Sequence, residues 1–155
     1  MEEPKEHINY IIMDSRPYAQ PLVKQTPNSA GYDLANGTSD RIVLYPGKHT
    51  LVRTGIVVNI PEGYEIQVRS RSGLAAKHGV MVLNSPGTVD SDYQGEICVI
   101  LYNAGVDVFH INPGARIAQA VVNKLPAVAM IRGVQMDLFV EETERGQNGF
   151  GSTGS

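Results

Sequence analysis

The segment Gly87-Thr88-Val89-Asp90-Ser91-Asp92-Tyr93-Gln94-Gly95 places two carboxylates two residues apart, beside a tyrosine and between glycines. On a strand they would share one face, and either could act as a general base on a water molecule. Two Asp in a Gly-bounded stretch also make an ordinary polar hairpin turn. A second segment, Arg69-Ser70-Arg71-Ser72-Gly73-Leu74, leads into the one helix that the pattern predicts, near residues 73–78 within SGLAAKHG. Ser72 reads as its cap, with a basic last turn and a terminating Gly79. Unpaired first-turn amides beside Arg71 could hold a phosphate, and a capped helix with surface arginines is the plainer alternative. Pro113-Gly114-Ala115-Arg116-Ile117-Ala118-Gln119 reads as a turn entering a strand. Ala30-Gly31-Tyr32-Asp33-Leu34 holds an Asp that could simply complete a turn.

The tail, Glu141 to Ser155, is rich in Gly and carries Arg145, Phe150, Gly151, Ser152 and Thr153. It has little to bury and much conformational freedom, so a mobile tail is expected. Gly149 to Gly154 matches GxGxxG, but a dinucleotide fingerprint must open a helix and the chain stops one residue later. Gly146 and Gly151 have Walker spacing, yet Ser152 stands where the lysine must be. What remains is backbone amides and hydroxyls suited to phosphate, with one ring for a base. His7, His49, His78 and His110 form neither HExxH nor another zinc spacing, and there is no CxxC. A Ser-His-Asp set has no local signature either.

The elements that must position these residues are strands. Of the 155 residues 42% are hydrophobic and 19% charged, with 17 Val and 12 Ile against 9 Leu, and 16 Gly with 9 Pro. β-Branched residues punctuated by Gly and Pro predict an all-β domain of short strands. Strands are expected over 8–13, 32–34, 41–45, 51–60 (with a bulge at Thr54-Gly55), 64–68, 80–83, 97–101, 106–111, 116–125 and 128–132. The unbroken apolar run 97–101 suggests a strand covered on both faces. One domain is expected: a loose N-terminus (1–7), a β core (8–140) and a mobile C-terminal lid (141–155). A net charge of −3 argues against a basic face for nucleic acid. Residues 7–13 are too short and too acidic in their lead-in for a signal peptide or a membrane span. One cysteine, Cys98, permits no intrachain disulfide. A soluble, cytoplasmic protein is expected.

The five segments, in this order from Ala30 to Gly154, resemble the five motifs of the homotrimeric dUTPase family: AGYDL, RSGL, GTVDSDYQG, PGARIAQ and RGQNGFGSTG. The resemblance implies a jelly-roll-like small β-barrel with one short helix. It also implies a homotrimer whose sites are built between subunits. Asp33, Arg71 and Gln119 would come from one chain, the Asp90 hairpin from a second and the tail from a third. The implied reaction is hydrolysis of dUTP to dUMP and pyrophosphate by water attack at the α-phosphorus, which keeps uracil out of DNA and supplies dUMP. Asp90 would be the base. Arg71, Ser72 and Gly73 would hold the phosphates, with Gln119 at the α-phosphate. Arg145, Gly151, Ser152 and Thr153 would reach the β- and γ-phosphates, and Phe150 would stack on uracil. Asn84 and the backbone of Gly87, Thr88, Val89 and Cys98 would read the base. Tyr93 would pack on the deoxyribose and exclude a 2′-hydroxyl. Mg²⁺ would be carried by the triphosphate, with Asp33 touching it through water. Asp92 would be structural, and Arg116 would tie strands or subunits together. Ser70 stands where the family commonly has Pro, and Thr88-Val89 where Val-Ile is common. A dCTP deaminase or bifunctional deaminase–diphosphatase of the same fold, and a nucleotide-dependent regulatory binding protein, are the alternatives.

Overall fold

The structure, a computed structural model, describes residues 6–133 and 143–144. The strands are β1 (Asn9–Ile12), β2 (Tyr32–Ala35), β3 (Ile42–Leu44), β4 (His49–Arg53), β5 (Ile56–Asn59) and β6 (Tyr64–Arg69), followed by the helix α1 (Ser72–His78). After it come β7 (Val80–Val82), β8 (Gly87–Val89), β9 (Cys98–Asn103), β10 (Phe109–Ile111) and β11 (Arg116–Lys124). All pairings are antiparallel. One sheet has the order β2-β11-β6-β8 and another β4-β9-β7, and β1-β5 and β10-β3 form two ribbons. Among the described residues the sheets do not close into a barrel.

Alternation explains the core. β6 buries Ile66 and Val68, β11 buries Ile117, Ala118 and Ala120, and β9 buries Val99 and Leu101. These residues meet Val52, Val80 and Val82 in one cluster between the two larger sheets. β9 is therefore covered on one face only, with Cys98, Ile100 and Tyr102 half-buried on the other. Apolar residues on both faces of a strand do not by themselves mean that both faces are covered.

Thr54-Gly55 is a sheet-changing corner rather than a bulge. β4 pairs with β9, whereas β5 pairs with β1. Gly55 has φ +75°, and a Cβ there would lie 2.6 Å from the Cβ atoms of Arg16 and Ala19. The buried Thr54 hydroxyl fastens the corner by donating to the Ile97 carbonyl (2.6 Å) and accepting from the Ile56 N–H (3.2 Å).

The helix starts one residue differently from the prediction. Arg71 is its N-cap in extended backbone with no side-chain cap, and Ser72 is already helical. Gly79 closes it in the left-handed region. The predicted strand at 128–132 is not formed; residues 126–133 belong to no sheet and are exposed. Residues 106–108 precede β10 as a loop, with Val106 in solvent.

Two fully buried asparagines hold the loops. Asn103 donates to the carbonyls of Leu44 (2.9 Å) and Asp107 (2.8 Å) and accepts from the Gly105 N–H (2.9 Å). Asn36 does the same for Asp40, Asn112 and Thr38. Asn103→Ala strands the buried Leu44 carbonyl and two part-buried backbone groups, and a buried group left unpaired costs roughly 1–3 kcal/mol. The variant is expected to lose about 3 kcal/mol of stability, read as a lower urea midpoint at unchanged slope.

Candidate active site

β11 is the strand that gathers the first group of polar residues. Gln119 lies opposite Asp33 on β2 and opposite Arg69 on β6, so three chain segments meet in one row. The next residues of β6 lead straight into α1, which brings Arg71 to the same end of the sheet. Asp33 Oδ1 lies 3.7 Å from Arg71 Nε, and Oδ2 accepts from Arg116 Nη1 (3.3 Å) and Gln25 Nε2 (2.5 Å). Arg71 Nη1 also donates to the Arg116 carbonyl at 3.0 Å. Gln119 Nε2 donates to the Ser70 carbonyl (3.0 Å), and its Oε1 sits where a Cβ on residue 31 would fall, so Gly31 is required. One carboxylate between two guanidiniums leaves a net positive charge facing solvent.

Ser70, the departure from the family pattern, has a local reason. Its hydroxyl accepts the Val82 N–H at 2.9 Å and ties the approach to α1 to β7. The first intrahelical bond runs from the Ala75 N–H to the Arg71 carbonyl. The amides of Ser72, Gly73 and Leu74 therefore precede the ladder. A seven-residue helix contributes little macrodipole, so any anion affinity here rests on Arg71 and individual amides.

The second group surrounds β8, the edge strand of the same sheet. Gly87, with Asn84 Nδ2 3.3 Å from where a Cβ would stand, packs against Val68. Thr88 is exposed and Val89 buried. Asp90 follows the strand and is exposed, and a turn returns the Tyr93 N–H to its carbonyl (3.2 Å). Asp90 and Asp92 thus lie in a turn and share no strand face. The Tyr93 hydroxyl donates to the Glu96 carbonyl at 2.8 Å. Cys98 opens β9 in the other sheet, opposite Arg53. Burial, and secondarily the Glu96 charge, pushes its thiol up from the ordinary range, so it is no ready nucleophile.

The two groups are far apart on one chain. Val89 lies opposite Ile66, while Gln119 lies opposite Arg69. At ordinary strand rise and spacing, Asp90 and Gln119 are separated by about 13 Å along the strands and about 9.5 Å across them, or about 16 Å in all. Arg145, Phe150, Gly151, Ser152 and Thr153 lie outside the described residues.

Sequence reasoning missed Glu96, Arg16 and Gln25. The Glu96 carboxylate has 7% of its side-chain surface exposed. It accepts from Arg16 Nε (2.9 Å) and Nη2 (3.2 Å), Arg53 Nη1 (3.0 Å) and the Gly55 N–H (2.9 Å). Burial, the largest single influence, opposes its ionisation. The hydrogen bonds from Arg16, Gly55 and Arg53 together outweigh burial and hold the carboxyl below its ordinary value of 4.5. Arg16 and Glu96 are 80 residues apart, and no local pattern announces the pair.

Comparison with known proteins bears on the same residues. A family model described as dUTPase matches residues 18–154. The chain is 54% identical over 130 residues to a deoxyuridine 5'-triphosphate nucleotidohydrolase of Chlamydia pneumoniae, covering 84% of this chain and 88% of that one. It is 50% identical over 133 residues to the protein of the same name from Brucella suis biovar 1, covering 84% and 82%. Among solved structures, the Staphylococcus bacteriophage 80alpha dUTPase with dUPNHPP superposes with a TM-score of 0.77 at 25% identity, covering 97% of this chain and 100% of that one. A mutant dUTPase from phage phi11 of S. aureus, solved to show coordination of a structural Mg(II) ion, gives a TM-score of 0.75 at 21% identity, covering 86% and 100%.

The depressed Glu96 carboxyl makes a signed prediction. Its stabilising contribution is full above its unfolded value and is lost as pH falls through the lower folded value. The stability difference between the parent protein and Glu96→Gln should therefore be largest above about pH 4.5 and shrink below it. Urea titrations at stepped pH read this directly, and an undiminished difference in acid would show that the ionised form is not what matters.

Proposed function

This chain belongs to the dUTPase family and hydrolyses dUTP, and from that premise we propose how its own residues do so. The observation that carries the reading is the division of the polar residues into two groups on one chain. Asp33, Arg71 and Gln119 converge at one corner of the four-stranded sheet. Asp90 stands at the other corner. Gln119 cannot touch an α-phosphate while Asp90 of the same chain holds the water that attacks it. A reacting atom needs both within hydrogen-bond reach, and about 16 Å separates their backbones. A site assembled from more than one copy, in a homotrimer, meets the requirement.

Two surfaces fit such a neighbour. All four residues of β1 are exposed, and the strand pairs only with β5 among the described residues. Val128, Met130 and Ile131 stand in solvent on a segment that joins no sheet. Exposed apolar edges of this kind are costly in a free monomer.

In the assembled site, Arg71 and the amides of Ser72 and Gly73 bind the phosphate chain, and Asp33 orients Arg71. The Gln119 amide donates one hydrogen to Ser70 and has a second for the α-phosphate. Asp90 from a neighbouring chain orients the water and takes its proton, giving dUMP and pyrophosphate. Tyr93 packs on the deoxyribose, and Asn84 with the backbone of Gly87, Thr88, Val89 and Cys98 reads uracil. Arg145, Phe150, Gly151, Ser152 and Thr153 close over the nucleotide from a third chain and exclude water.

Among the described residues no three His, Cys, Asp or Glu side chains gather to hold a metal. Asp33, the carboxylate of the phosphate group, is already engaged by Arg116 and Gln25 and flanked by Arg71. The residues fit an ion carried by the triphosphate and contacted through water, and do not fit a protein cage. When bound, Mg²⁺ neutralises phosphate charge. No helix among the described residues is long and apolar enough to cross a membrane. A cytoplasmic enzyme is the reading that fits a free nucleotide substrate and a lone cysteine.

Incubation with Mg²⁺ and, separately, dUTP, dCTP, dTTP and UTP should convert dUTP alone. Ammonia from dCTP would move the protein to the deaminases, and tight dUTP binding without turnover would favour a regulatory binder. Asp90→Asn should lower kcat by about 10²–10⁴-fold, the usual cost of losing a general base, and leave dUTP affinity within a few-fold. Mixing is the sharper test. Asp90→Asn and Arg71→Ala chains, each inactive alone, should regain about a quarter of parental activity when refolded together one to one, because a quarter of randomly mixed interfaces combine an intact Asp90 with an intact Arg71. Sites confined to one chain would regain none.

A further inference from the structure

Tyr93 is exposed, yet its ring is not free. Its hydroxyl donates to the Glu96 carbonyl at 2.8 Å, folding the ring back over Gly95. A Cβ on residue 95 would come within 2.5 Å of the hydroxyl oxygen and 2.6 Å of the ring carbon that bears it, so this fold needs Gly95. The position of the ring is thus set by the position of the peptide at residue 96.

That peptide is held from both sides. The Glu96 carboxylate takes four donors from two side chains and one backbone amide, with Oε1 shared by Arg16 Nε and Gly55 N–H and Oε2 by Arg16 Nη2 and Arg53 Nη1. Each partner is itself anchored. The backbone N–H of Arg16 donates to the Met13 carbonyl, and the Met13 N–H to the Gly55 carbonyl. Arg53 ends β4, and Gly55 turns the corner into β5. On the next residue, Ile97 donates to the Ile56 carbonyl at 2.8 Å and accepts from the Thr54 hydroxyl at 2.6 Å. Two segments distant in sequence, at Arg16 and at Arg53 to Gly55, converge on one carboxylate, and the hairpin exit is pinned there.

We propose that Glu96 is the positioning residue of Tyr93, and that through it the Arg16–Glu96–Arg53 clamp sets the preference for a 2′-deoxyribose over a ribose. The proposal rests on the dUTPase reading above, in which Tyr93 packs on the sugar. Rejection of a hydroxyl by a ring is steric, so it depends on holding that ring to within about 0.5 Å. A clamp of charge-assisted hydrogen bonds on the peptide that receives the Tyr93 hydroxyl supplies such a constraint. Glu96 touches no substrate in this arrangement.

The test compares kcat and KM for dUTP and UTP in the full-length protein. Glu96→Gln keeps the shape and removes the charge; it should lower the ratio of kcat/KM for dUTP over UTP by about tenfold or more, a loss of the order that one misplaced contact costs. The change should appear mainly in the two KM values. Tyr93→Phe, which removes the hydroxyl and leaves the ring, should shift the ratio in the same direction. The double variant should be no worse than the poorer single one, since both break one chain of contacts. Asn103→Ala, destabilised but remote from the hairpin, should keep the parental ratio. Arg53→Met removes one of the four donors, leaves Arg16 in place and carries the same test if Glu96→Gln does not fold.

A parental ratio in Glu96→Gln, or effects of the two substitutions that simply multiply, would overturn the role of Glu96. Absence of dUTP turnover by the unsubstituted protein would instead strike the assigned activity, before any variant is compared.

Discussion

Register across β11 is the constraint on which the rest depends. β11 pairs with β2 on one side and β6 on the other, and Gln119 is the residue that meets Asp33 and Arg69 at once. The irregularity between Arg116 and Ala118 sits just before this row. Slipping the β11–β6 pairing by one residue would turn Ile66 and Val68 out of the core and bury their polar neighbours, so the alternation that makes the core also fixes the register. The polar row is a by-product of hydrophobic burial elsewhere in the same strands. This is why residues from opposite ends of the chain can meet without any strong attraction between them.

Two carboxylates, each set between two arginines, show how burial changes the use of one device. Asp33 is partly open, and its partners Arg71 and Arg116 are more so. Ion pairs of that kind contribute little to stability and remain free to rearrange around an incoming anion. Glu96 is nearly covered, and every lone-pair direction of its carboxylate is occupied. Its desolvation is offset only because the donors are already in place. The first arrangement suits binding, and the second suits holding backbone still.

The chain places Asp33, Arg71 and Gln119 at one corner of a sheet and Asp90 at another, and in the proposed reading these are halves of one site, joined by strands too rigid to bring them together. A β-sheet cannot close about 16 Å by bending. The proposed symmetric association would solve the problem, because every copy would offer each half to a neighbour. The same association would cover β1 and the segment 126–133, which a lone chain leaves in water.

Most strands were legible in the sequence because alternation has a period of two and needs no knowledge of the partner strand. β1, β3, β6, β7 and β11 fall within a residue or two of expectation, and the five ordered motifs named the family before any geometry was known. The sheet-changing corner at Thr54-Gly55 and the one-sided burial of β9 were not legible. An apolar run reads the same whichever sheet receives it. Residues 128–132 read as a strand because their composition suits one, but a strand also needs a partner, and none stands beside them among the described residues. Asp33, Arg71, Gln119 and Asp90 were named through the resemblance of their segments to the family's motifs. Their division into two distant groups, and the convergence of Arg16 and Arg53 on Glu96, were decided by tertiary structure, because hydrogen bonds between residues 80 apart obey the register of the sheets and leave no period in the chain.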